Sequence, residues 1–159
     1  MRITILAIGK LREKYLAQGI DEYLKRLTRY ATVAIVELPE EQAPESLSPA
    51  EQQQVKVREG ERIVKGLRDG QYVIALALDG VQFTSEAFAA HLEGLAVAGR
   101  SDLVLLIGGS LGLSDAVLAR ADLKLAFGKM TFPHQLMRLI LTEQLYRAFR
   151  IITGHPYHK

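Results

Sequence analysis

Apolar and polar positions alternate in blocks along this chain. Five short apolar runs, Ile3–Ile8, Val33–Leu38, Tyr72–Leu78, Leu103–Ile107 and Lys124–Phe127, predict β-strands. The first four are nearly continuous, which predicts burial on both faces of a parallel sheet. Helical periodicity fills the gaps. Leu16, Ile20, Tyr23, Leu24 and Leu27 form one stripe of a first helix. Ser48, Pro49 and Glu51 carry a capping signature for a second, running to about Leu67. A third follows Thr84-Ser85-Glu86, buries Phe88, Leu92 and Leu95, and stops near Gly99. A short fourth starts at Ser114-Asp115, and the last runs from Pro133 to about Thr153. This alternation predicts a doubly wound α/β fold in one domain, residues 1–159. The polar, acidic segment Pro39–Ser48 reads as a mobile loop, because apolar pattern continues on both sides of it.

Ligands of such sheets sit beyond the carboxyl ends of the strands. Two segments fall there: the glycine-rich turn Ile107-Gly108-Gly109-Ser110-Leu111-Gly112 and the loop after Phe127. The turn fails the dinucleotide fingerprint, since Ile107 stands where a first glycine belongs and the turn follows the fourth strand. Gly128-Lys129 is no Walker loop, with Leu123 in place of its first glycine and Met130 where Ser or Thr must hold magnesium. The local pattern alone fits both an ordinary strand-to-helix turn and a ligand loop.

Composition narrows the classes. With no cysteine, neither a disulfide framework nor a thiolate metal site is available. The opening residues read as a strand rather than a signal peptide, and no run reaches membrane-spanning length, so a cytoplasmic location is expected. A formal charge of +2 and a pI near 8.9 fit a polyanionic partner without requiring one.

Four histidines and three arginines remain. His155 and His158 are three apart, but Pro156 breaks helical geometry between them and no carboxylate accompanies them, so no metal site is expected. His91 reads as solvated, and His134 as structural or pocket-lining. Arg138, Arg147 and Arg150 lie on the last helix, where Arg147 has an ion-pair partner one turn earlier in Glu143. That helix is apolar around most of its circumference, which suggests a second copy of the chain as its partner.

Taken with Lys129-Met130-Thr131-Phe132-Pro133-His134-Gln135, Glu143-Gln144-Leu145-Tyr146-Arg147-Ala148-Phe149 and the tail Tyr157-His158-Lys159, the chain resembles the SPOUT-class methyltransferases. More closely, it is similar to the ribosomal large subunit methyltransferase H family, which methylates N3 of a pseudouridine in 23S rRNA. The resemblance spans the whole length. It implies a parallel-sheet α/β fold whose C-terminal part forms a trefoil knot, a rare exception to unknotted connectivity. It implies S-adenosylmethionine as cofactor, held by Leu76, Gly108, Phe127, Gly128, Lys129, Met130, Thr131 and Phe132. It further implies a homodimer acting on 23S rRNA within the assembled ribosome, with Arg147, Tyr157 and His158 as catalytic residues. Arg147 would stabilise charge or hold a phosphate, Tyr157 and His158 would position the base, and His158 would accept or relay the N3 proton. Two rivals stand beside this reading: a non-catalytic ribosome- or nucleotide-binding factor, and a methyltransferase for another RNA position or a protein.

Overall fold

The computed structural model describes all 159 residues. Five strands and five helices alternate: β1 (Arg2–Ile8), α1 (Lys14–Leu27), β2 (Thr32–Leu38), α2 (Pro49–Gly66), β3 (Tyr72–Gln82), α3 (Ser85–Val97), β4 (Asp102–Ile107), α4 (Asp115–Arg120), β5 (Leu123–Ala126) and α5 (His134–Ile152). All pair in parallel, in the order β2-β1-β4-β3-β5. The element order therefore matches the periodicity, and the local reasons are visible. Ser48 and Glu51 form a reciprocal capping box at α2. Thr84 Oγ1 accepts from Ala87 N at 3.1 Å to open α3, and Ser114 Oγ accepts from Val117 N at 3.4 Å to open α4. Each cap satisfies a backbone donor that the first helical turn leaves free.

Helices cover both sheet faces, as parallel pairing requires. On one side, α1, α3 and α5 enclose a core that includes Ile3, Ile5, Leu27, Leu92, Leu105, Leu141 and Leu145. On the other, α2 brings Ile63, α4 brings Val117 and the turn before α4 brings Leu113 against Leu6, Ile8, Val73 and Leu106. Each such aliphatic side chain contributes about 1.5–3 kcal/mol on full burial.

Several expectations need correction. β2 is not buried on both faces: it pairs only with β1, and Thr32, Ala34 and Val36 are exposed on the α2 side. An edge strand lies beyond the reach of helices seated over the sheet centre. β3 runs four residues past Leu78. It pairs with β5 through Leu76, bulges out over residues 77–80, and resumes at Val81. His91 is half-buried rather than solvated, packed between Tyr72 and Phe83 with a 3.3 Å hydrogen bond to the Tyr72 hydroxyl. The acidic loop is tied down at its start. Arg62 pairs with Glu41 and donates to Pro39 O at 2.8 Å, while Glu41 N donates to Glu59.

The bulge brings strand backbones unusually close. A Cβ at Gly80 would lie 2.7 Å from backbone atoms of Lys124 and Leu125, where no flexible side chain can yield. Gly80→Ala should thus destabilise the fold by about 1–3 kcal/mol. Gly94, inside α3 with open space around it, is the contrast: Gly94→Ala should stabilise by about 0.5–1 kcal/mol. Urea unfolding of the two variants checks both signs, and a neutral Gly80→Ala would refute the close approach.

Burial pushes the His91 imidazole below its ordinary value. The unfolded chain then binds a proton at His91 at higher pH than the folded chain. This group's contribution to stability is complete above about pH 7 and falls as pH drops through the unfolded imidazole value. The loss of stability between about pH 7 and about pH 5 should be shallower in His91→Gln, measured by urea titration at both ends. Equal slopes in the variant and the parent would contradict it.

Candidate active site

A cavity of about 870 Å³ opens beyond the carboxyl ends of β3, β4 and β5. Three wall segments define it: the β3 bulge from Leu76 to Asp79, the glycine turn from Ile107 to Leu113, and the β5–α5 loop from Phe127 onward. Its size and mostly apolar lining suit an organic cofactor. Gly128 adopts φ +134°, a backbone state that side chains other than glycine rarely reach. A Cβ at Gly108 would meet the Gly112 carbonyl carbon at 2.9 Å, so this turn closes on itself only with glycine there.

Of the eight residues expected to hold a cofactor, seven line this cavity: Leu76, Gly108, Phe127, Gly128, Met130, Thr131 and Phe132. Lys129 belongs to the same loop but does not line the cavity, and it is exposed. His134 lines it too, with an Nε2 that is buried and without a hydrogen-bond partner. Burial and the nearby Arg138 push this imidazole below its ordinary value, so it is neutral near pH 7.

The second group of expected residues gathers elsewhere. Arg147, Tyr157 and His158 meet around Glu143, on the far half of α5. Arg147 gives both Nε (3.1 Å) and Nη2 (2.6 Å) to Glu143 Oε1, so the expected ion pair is present. The Tyr157 hydroxyl donates to the same oxygen at 2.9 Å, and the Arg147 guanidinium lies 4.7 Å over the Tyr157 ring. Arg147 Nη1 lies 3.2 Å from His158 Nδ1. An arginine can only donate, so Nδ1 accepts and the ring proton sits on Nε2, which donates to Glu86 Oε1 at 2.8 Å. Burial, then hydrogen bonds to Tyr23 and Glu143, push the Tyr157 phenol well above its ordinary value. It therefore remains a neutral donor at physiological pH.

The sequence pattern marks Glu143 as the ion-pair partner of Arg147, Tyr23 as one position of the apolar stripe of α1, and Glu86 only as part of the segment that opens α3. The structure makes all three part of the cluster. The i,i+4 spacing of Glu143 and Arg147 was the one available signal; Tyr23 and Glu86 lie 134 and 72 residues from their partners in the tail. The tail itself is docked: Arg150 holds Pro156 O at 2.9 Å, and Tyr146 meets Tyr157 edge-on at 4.9 Å. The two tail imidazoles do not converge, since His155 bonds Thr153 and His158 bonds Arg147 and Glu86. The apolar circumference of α5 is partly consumed within the chain, because α1 and α3 flank it and Leu139 packs on Gly19.

Comparison with known proteins places the chain in a family. A family model described as "Predicted SPOUT methyltransferase" matches residues 1–158, and the chain belongs to that family. Among individual relatives, the chain is 62% identical over its full length, and that of its relative, to a ribosomal RNA large subunit methyltransferase H from Alkaliphilus oremlandii. Proteins of the same name from Listeria monocytogenes (60%) and Enterococcus faecalis (55%) match equally completely. The fold is also similar to the crystal structure of an A. aeolicus TrmH/SpoU tRNA modifying enzyme, with a TM-score of 0.51 at 16% identity, covering 96% of this chain and 76% of that one.

Proposed function

We propose that this protein is an S-adenosylmethionine-dependent methyltransferase of large-subunit ribosomal RNA, acting on N3 of a pseudouridine. The observation that carries the reading is full-length identity of 55–62% to proteins named for that class of reaction, joined to an apolar cavity in the expected loops. Leu76, Gly108 and the loop Phe127–Phe132 would hold the cofactor, with Lys129 contributing backbone rather than a cavity-facing side chain. When bound, S-adenosylmethionine supplies a methyl group already activated by its positive sulfur. The chain then has to orient the acceptor, exclude water and stabilise the ring after its imide proton leaves.

Arg147 suits charge stabilisation, because Glu143 fixes its plane and leaves its positive charge beside the tail. Tyr157 is kept neutral, but its one hydroxyl hydrogen is on Glu143, so donation to a base carbonyl requires release of that bond first. His158 is held at both ring nitrogens, and only Nδ1 has a free pair to take a proton, so accepting one requires release of Arg147 first. We assign it to base positioning, with proton transfer only after that release.

The same reading includes a C-terminal trefoil knot and a homodimer. Met137, in the cavity wall, and Arg147 are ten residues apart on α5, roughly 15 Å along its axis. A second copy that sets its tail cluster against this cavity would complete the site. Exposed Leu78, Val81, Met130 and Phe132 supply apolar surface near the cavity for such a contact.

Incubation with methyl-labelled S-adenosylmethionine and ribosomes, followed by nucleoside analysis, tests the activity. Label in N3-methylpseudouridine is expected. Ribosome association without label would favour the non-catalytic rival, and label in another nucleoside or in protein would redirect the assignment.

Removal of residues 157–159 should abolish methyl transfer with cofactor affinity within about twofold of the parent. Because the tail is docked, stability should also fall by about 1–2 kcal/mol. Full activity after truncation would remove Tyr157 and His158 from the site.

A further inference from the structure

A second cavity, about 250 Å³, lies on the other side of the β5–α5 loop, sharing Leu125–Gly128 with the cofactor cavity as a common wall. Its lining combines aromatic faces, Phe83, Phe88 and Phe127, with the polar side chains of Gln82, Ser85 and Gln144. That mixture of ring faces and amide groups is how proteins hold unstacked bases.

Gln144 connects this cavity to the Arg147 cluster. Its Oε1 accepts from Ser85 Oγ at 2.9 Å, and its Nε2 donates to Glu143 Oε2 at 2.8 Å. Glu143 in turn holds Arg147, Arg147 meets His158, and His158 returns to Glu86, the neighbour of Ser85. The amide is thereby fixed in orientation with half its capacity unused: one lone pair on Oε1 and one hydrogen on Nε2.

We propose that, in the copy whose tail cluster completes a partner copy's cofactor cavity, this second cavity seats the target pseudouridine, and that Gln144 is the residue that distinguishes it from uridine. The proposal rests on the reading of the protein as a pseudouridine-N3 methyltransferase. In pseudouridine the ribose is attached through carbon, so N1 carries a hydrogen next to the O2 carbonyl. The spare acceptor and donor of the Gln144 amide complement that N1–H and O2 pair, and the pairing leaves N3 unblocked. In uridine N1 bears the ribose and no hydrogen. The only ring donor left is N3–H, so an amide that satisfied its acceptor there would cover the atom to be methylated. Selection at Gln144 is then a selection for productive orientation as well as affinity. Gln144 is half-buried, and a site whose acceptor is left unpaired by an analogue that lacks the donor discriminates against that analogue.

The test compares kcat/KM on ribosomes carrying pseudouridine at the target with that on ribosomes carrying uridine there, for the parent protein and for Gln144→Met. The parent should prefer pseudouridine by about tenfold or more, and Gln144→Met should bring the ratio close to one by losing activity on pseudouridine. Loss of the Glu143 bond alone would lower both substrates together and leave the ratio intact, so the ratio separates recognition from support. Ser85→Ala, which frees Oε1 from its anchor, should lower the ratio partway and serves if Gln144→Met does not fold. Calorimetry with S-adenosylmethionine should give unchanged affinity in both variants. An unchanged ratio in a folded variant, or no preference in the parent, overturns the proposal while leaving the methyltransferase reading in place. A parent protein that binds S-adenosylmethionine but labels neither ribosome overturns that reading, and this proposal with it.

Discussion

The buried guanidinium of Arg138 is the interaction on which the geometry of both cavities depends. Its side chain is only 1% exposed, among the largest fully buried groups in the chain. Nη2 donates to Ile8 O at 3.1 Å and Gly9 O at 2.7 Å, and Nη1 to Glu37 Oε2 at 2.6 Å. Glu37 also accepts from Leu11 N. A charge removed from water is tolerated only when acceptors replace its hydration. Here they come from the carboxyl ends of β1 and β2, so α5 can occupy only the position that serves them. Nε remains without a partner, so some of the desolvation cost goes unmet. The same helix carries His134 and Met137 into the large cavity, Gln144 into the small one, and Glu143 and Arg147 into the polar cluster.

The two halves of the site obey different physics. The large cavity is made by backbone: a strand bulge, a glycine turn and a loop with one residue in a glycine-favoured conformation. Such walls offer apolar surface and fixed peptide groups at little side-chain entropy cost. The polar cluster is made of side chains that hold one another. One carboxylate oxygen of Glu143 takes three donor contacts, which fixes the planes of Arg147 and Tyr157 together. Groups held in this way lose less freedom when a substrate arrives.

The parallel topology explains where these parts meet. β4 and β3 are central, and their carboxyl ends lead into the glycine turn and the bulge. β5, at one edge, ends in the loop that separates the two cavities. β2, at the opposite edge, takes no part in the cavity and leaves Val36 exposed.

What the amino-acid sequence determined by itself is the order and type of the elements and the contiguous loops that wall the large cavity. Helix caps at Ser48, Thr84 and Ser114, apolar periods, and the glycines at 108 and 128 act over a few residues, so their consequences are legible locally. Resemblance then supplied the chemistry, through segments such as Phe127–Phe132 that are unbroken in the chain. Tertiary structure alone decided the bulge after Leu76, the exposed face of β2, the burial of His91 and Arg138, and the turning away of Lys129 from the cavity that its neighbours line. It also decided that Glu143 collects Arg147 and Tyr157 while Glu86 and Tyr23 reach the tail from distant elements. Strand pairing and burial depend on which surfaces the whole chain brings together, and the spacing of residues in one segment carries no record of a partner far away in the sequence.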